Sequence, residues 1–116
     1  MNNLKYSRCE ACRADEPVLN NKEINELKPQ IPEWEVIESN DIKHLCRSFI
    51  FKDFKEALSF TNRIGDSAEK EGHHPSIVTK WGKVMVSWWT HKIKGLHRND
   101  FIMAAKTDGI YRSLSD

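Results

Sequence analysis

Little in this sequence is one-sided. Its 18 basic and 17 acidic residues leave a formal net charge of +1, which speaks against a protein that grips nucleic acid through a broad basic face. No apolar run approaches the length of a membrane span, and the N-terminus, with Lys5, Arg8 and Glu10, has no signal-peptide core. A cytoplasmic protein without a membrane partner is expected. Cysteine is scarce and odd in number: Cys9, Cys12 and Cys46 cannot all pair within one chain, which fits a reducing compartment. There is no phosphate-binding glycine loop, no dinucleotide fingerprint and no usable Ser-His-Asp order. Internal repeats, linkers and low-complexity stretches are missing too.

What is present is one domain. The chain has 116 residues and 13.5 kDa, 39% hydrophobic and 30% charged, enough for one modest core. Cys9 and Cys12 form a lone C-x-x-C, with His44 and Cys46 as the nearest second pair of metal-type ligands. Structural zinc sites show two well-spaced pairs, so free thiols are the expectation and zinc the alternative. Residues 1–20 are polar and aperiodic, and read as a flexible arm whose route to order is packing on the body. The folded domain is expected over residues 21–116.

Asn20 or Asn21 can cap a short helix through Ile24 and Leu27, stopped by Pro29 and Pro32. Residues 34–37 and 42–51 read as a hairpin turning at Ser39-Asn40-Asp41. Asp53 and Glu56 form a D-x-x-E box opening a long helix. Phe54, Ala57, Leu58, Thr61, Ile64, Gly65 and Ala68 are its expected buried stripe, and Gly72 its left-handed cap. Residues 77–80 and 84–91 read as a second hairpin, with Val84, Val86, Trp88 and Thr90 on one face and Met85, Ser87, Trp89 and His91 on the other. A last helix should start near Asn99, turn Phe101, Ala104 and Ala105 inward and weaken at Gly109. The fold class is α+β: a four-stranded antiparallel sheet with three helices on one face, in the order α-β-β-α-β-β-α.

Five histidines are present, and their placement is informative. His73 and His74 leave a helix end in a direction fixed by Gly72 and Pro75, and His91 closes a neighbouring strand. Imidazole, with an ordinary pKa of about 6.5, gives and takes protons near neutrality. Converging imidazoles therefore suit a reaction needing both an acid and a base. The residues alone leave two other readings open, a polar junction without chemistry and a histidine metal site. Asp100, in the first turn of the last helix, can serve the helix dipole and orient a histidine as well. Of Trp34, Trp81, Trp88 and Trp89, one or two can wall a flat heteroaromatic ligand.

The spacing Glu69-x-x-x-His73-His74-Pro75, then Trp81, His91 and Asp100, resembles the signature of the pterin-4a-carbinolamine dehydratases. The resemblance extends through Phe51-Lys52-Asp53-Phe54, Ala68-Glu69-Lys70, Thr90-His91 and Gly95-Leu96, over roughly residues 34–108. The segments from Cys9 to Asp15 and from Trp88 to Phe101 resemble the bacterial branch that accompanies phenylalanine hydroxylase. Trp89 and His97 depart from the wider pattern.

The resemblance implies removal of water from a 4a-hydroxytetrahydropterin, giving the quinonoid dihydropterin, with neither cofactor nor metal. It implies His73 and His91 as the acid–base pair and His74 as a third site histidine that orients the pterin. Glu69, Gly72, Trp89, Thr90, Lys92 and Asp100 are the implied binding and orienting residues. A homodimer or homotetramer, possible contact with phenylalanine hydroxylase, and no nucleic acid are the expected partners. The rival reading is a non-catalytic partner of the hydroxylase or of a transcription factor.

Overall fold

Two short turns set the sheet. The computed structural model describes residues 4–10 and 16–115. Asn40 and Asp41 both adopt positive φ, 53° and 65°, the geometry of a tight two-residue hairpin turn that Asn and Asp tolerate. They join β1 (Glu35–Ser39) to β2 (Ile42–Ile50), and Trp81-Gly82 joins β3 (Ser76–Lys80) to β4 (Lys83–Trp88). All neighbours are antiparallel, in the order β1-β2-β4-β3.

Three α-helices, α1 (Asn21–Leu27), α2 (Phe54–Glu71) and α3 (Arg98–Ser115), complete the fold, so the expected α+β class and element order hold. Asn20 and Glu23 form a reciprocal capping box on α1. At α2 the Asp53 carboxylate accepts from the Glu56 amide at 2.8 Å. Glu56 itself turns to Lys52 at 3.5 Å.

The inward face of the sheet carries Leu45, Phe49, Val84, Val86 and Trp88. These pack with Ala57, Phe60, Ile64 and Ala68 of α2 and with Phe101, Ile102, Ala104 and Ala105 of α3. Each large apolar side chain buried here contributes about 1.5–3 kcal/mol by removal from water.

Three expectations need correction. The buried stripe of α2 runs through Phe60, whereas Phe54 and Leu58 stay 45% and 43% exposed. The helix is rotated because Phe60 meets Phe49 and Phe51 at centroid distances of 4.7 and 5.1 Å. Strand β4 stops at Trp88, where its pairing with β2 ends at Leu45 and that with β3 has already ended at Ser76–Ser87. His91 accordingly lies on a 3-10 turn, His91–Ile93, and Thr90 makes a single bridge to Gly95. Helix α3 is not ended by Gly109 but continues to Ser115.

The described arm residues pack on this body. Leu4 is buried and opens a 3-10 turn, Leu4–Tyr6, against α3. Further along, the Leu19 amide donates to the Leu96 carbonyl at 2.9 Å.

Candidate active site

The end of α2 aims the first histidines. Gly72 takes φ 65°, a left-handed conformation that costs glycine nothing. Both its amide and that of His73 donate to the Ala68 carbonyl. His73 is thereby pinned at the backbone before its side chain makes any contact.

Its imidazole is then held from one side. Nε2 of His73 lies 2.6 Å from Oδ1 of Asp100, a fully buried carboxylate in the first turn of α3. The other Asp100 oxygen accepts from the Thr90 hydroxyl at 2.8 Å and from the His97 amide at 2.9 Å. Asp100 therefore spends both oxygens on fixing His73 and the Thr90 turn. A carboxylate can only accept, so Nε2 carries the proton and Nδ1 is the nitrogen left for exchange. The face of the ring lies parallel to Trp88, 5.7 Å between centroids at 12°.

His73, His74 and His91 line one cavity of about 540 Å³ with Gly72, Thr90, Lys92, Cys9, Glu10, Glu71 and Asn99. That volume suits a small heteroaromatic molecule. A larger groove, about 940 Å³, runs past Phe51, Asp53 and Tyr111 but carries no histidine; chemistry rather than size picks out the site.

Of the nine residues expected from sequence, six therefore line the cavity. Asp100 stands behind His73, and Glu69 pairs with His74 on the exposed rim. Trp89 tilts against His91 at 4.5 Å and stacks on His44 at 4.2 Å. It thus packs on two histidines without lining the cavity itself. Burial and the nearby His91 charge push the His44 imidazole below its ordinary value.

Sequence reasoning missed Cys9, Glu10, Glu71 and Asn99 on the cavity wall, and His44 behind Trp89. Glu71 and Asn99 sit beside the recognised His73 and Asp100, and that adjacency was the available signal. From sequence His44 offers itself only as a metal ligand. Among the described residues no three His, Cys, Asp or Glu side chains are grouped to hold a metal ion. Cys12, half of the C-x-x-C, lies outside the described residues.

A family model described as pterin 4 alpha carbinolamine dehydratase matches residues 17–110. The chain belongs to this family. Among its relatives is a protein of Nitrosococcus oceani named "Putative pterin-4-alpha-carbinolamine dehydratase", 54% identical over 97% of this chain and 99% of that one. A protein of Gloeobacter violaceus with a similar name is 57% identical over 93% of each chain. The crystal structure of a transcriptional coactivator/pterin dehydratase from Brucella melitensis superposes with a TM-score of 0.73. It is 32% identical to this chain and covers 81% of it and 98% of the Brucella chain. A pterin dehydratase-like RuBisCO assembly factor of the alpha-carboxysome shares the fold at 19% identity and a TM-score of 0.56, over 66% of this chain and 89% of its own.

Proposed function

We propose that the protein dehydrates a 4a-hydroxytetrahydropterin, the product left on the cofactor of an aromatic amino acid hydroxylase. The observation that carries this reading is the set of three histidines on one cavity, one of them anchored through Nε2 to a buried aspartate.

The reaction breaks the bond from carbon 4a to oxygen and makes the double bond from carbon 4a to N5. One proton must reach the leaving oxygen and one must leave N5; oxidation state does not change. His73 suits the base: its free Nδ1 takes the N5 proton while Asp100 balances the charge that forms on the ring. His91, on the same cavity, delivers a proton to the leaving hydroxyl. His74 and the backbone around Thr90 hold the bicycle between them, and Lys92 lies on the same wall. Proton transfer by positioned groups is worth about 10²–10⁴-fold, adequate for a reaction that also runs slowly in water.

The reading extends to assembly. Strands β1 and β3 are the sheet edges, and Ile37 and Val78 on them are exposed. Unprotected edges invite pairing, so at least a homodimer is expected. Light scattering that returns a clean 13.5 kDa monomer with full activity would remove it.

The deciding experiment is turnover of enzymatically generated 4a-hydroxytetrahydropterin. His73→Ala and His91→Ala should each lose about 10²-fold or more above the uncatalysed rate. The wild-type rate should also change through a histidine titration between roughly pH 5 and 8. A wild-type protein that gives no acceleration would favour the regulatory alternative, the coactivator half of the Brucella protein's description.

A further inference from the structure

The N-terminal arm reaches the site and is bound there by more than packing. The Glu10 amide donates to the Asn99 side-chain oxygen at 2.9 Å, and the Asn99 side-chain nitrogen donates back to the Glu10 carbonyl at 2.7 Å. A buried side chain thus supplies both halves of a strand-like rung to one arm residue. One residue earlier, the Cys9 amide donates to Glu71 at 2.8 Å, and Arg8 meets the second Glu71 oxygen at 2.9 Å. Burial alone would push the Glu71 carboxyl up. The Cys9 amide and the charges of Arg8 and Lys106 outweigh it and hold the group below its ordinary range.

A second anchor lies on the far side of residues 11–15. Nε2 of His97 sits 2.8 Å from a Glu16 oxygen, and Nδ1 of the same ring accepts from the Asn99 amide at 3.0 Å. Val18 passes so close to Gly95 that a Cβ there would lie 2.5 Å from its methyl. The clamp residues are chain neighbours of the chemistry: Glu71 stands two before His73, and Asn99 directly before Asp100.

Cys9 and Glu10 line the same cavity as the three histidines. The Cys9 thiol is pushed up to about 12, by burial first and by the Glu71 charge second. It stays protonated at neutral pH and is unsuited to nucleophilic work.

We propose that Cys9 and Glu10 form a wall of the substrate site, and that Asn99 and Glu71 are positioning residues that set ligand affinity by holding this wall in place. The inference rests on the pterin reading for the chemistry of the ligand. Its consequence is that the arm acts on binding more than on proton transfer.

The test uses the full chain and 7,8-dihydrobiopterin, a reduced pterin that cannot be dehydrated, with tryptophan fluorescence for Kd and amide hydrogen exchange for the arm. Saturation should slow exchange at the Cys9 and Glu10 amides several-fold. Asn99→Ala and Glu71→Ala should weaken Kd about 5–10-fold, the size of one lost hydrogen bond, and raise KM more than they lower kcat. Glu71→Gln keeps an acceptor for the Cys9 amide and should recover most of the affinity. The exchange measurement needs no substitution, so it stands even if a variant fails to fold. Pterin binding that leaves exchange at Cys9 and Glu10 unchanged, or an Asn99→Ala protein with wild-type Kd, would overturn the proposal. A protein that binds no reduced pterin would instead defeat the functional reading, and the wall with it.

Discussion

Helix α3 carries two buried aspartates, and they are put to opposite uses. Asp108 accepts from the Trp34 indole at 2.8 Å and from Arg47 at 2.6 Å. The Arg47 guanidinium lies over Phe49, 4.4 Å from its centroid, and near Tyr111. Burial pushes the Asp108 carboxyl up, against the Trp34 bond and the Arg47 charge. Asp100, eight residues earlier or about 12 Å along the helix, has a histidine as its partner instead. Arginine keeps its proton at any working pH, whereas histidine trades one. Burial therefore makes a carboxylate a strut when it faces an arginine and, under the proposed function, a support for proton transfer when it faces a histidine.

The largest expected effect tests the strut. Asp108→Ala leaves Arg47 and the Trp34 N–H without their partner inside the protein. Removing one member of a buried pair costs about 3–5 kcal/mol, and Arg47, 18% exposed at its side chain, places this at the lower end. Denaturant unfolding should show that loss, while the dehydration rate per folded molecule stays near wild type. An equal fall in both would mean the two ends of α3 are not separable.

Asp100→Asn tests the support. Asparagine keeps the volume but offers one acceptor oxygen where three donors converge, and its amide opposes the protonated Nε2 of His73. The expected outcome is a fall in kcat of about 10²-fold, equivalent to ~2.7 kcal/mol, with a smaller change in melting temperature. Unchanged kcat in steady-state assays would remove Asp100 from the mechanism.

The two ends of α3 also differed in how much the sequence disclosed. The His73–Asp100 end was legible mainly through the family resemblance of its spacings; the glycine cap and the proline, as local signals, gave only where His73 and His74 leave the helix. The Trp34–Asp108–Arg47 contact joins residues 74 and 61 positions apart, and no periodicity announces such a pairing. The elements themselves were readable from alternation and caps. Which face of α2 turned inward was not, because Phe54, Leu58 and Phe60 are equally apolar and only the position of Phe49 and Phe51 chooses among them. The arm was underread for a related reason: a polar, aperiodic segment gives no sign that Asn99 and Glu71 will bind its backbone.

A third expectation concerns pH at the histidine end. The folded pKa of His44 is lowered, by burial first and the His91 charge second. As pH falls through the unfolded value of about 6.5, the unfolded chain takes up the proton first. The stability contributed by neutral His44 is thus complete above that value and declines as pH falls towards the folded pKa. Unfolding free energies between pH 7 and 5 should fall in the wild type and fall less steeply in His44→Gln. Parallel slopes would show that His44 does not titrate differently in the two states. At the other end the raised Asp108 carboxyl works in the opposite sense, its contribution growing as pH falls.

The smallest effect isolates burial itself. Glu69 and His74 form the same kind of carboxylate–imidazole pair as Asp100 and His73, yet their side chains are 78% and 61% exposed. Water solvates both partners, and ordering two mobile side chains offsets most of the attraction, so exposed pairs contribute about 0–1 kcal/mol. If position inside the protein is what lets Asp100 act on its histidine, Glu69→Gln should change stability by less than about 0.5 kcal/mol and kcat/KM by less than about 3-fold. High salt should mimic the substitution, because screening already weakens a pair at the surface. Chemical denaturation and initial rates at low and high salt measure both. A loss of tenfold or more in Glu69→Gln would mean that His74 depends on its carboxylate as His73 does. The distinction between buried and exposed pairs would then fail at this site.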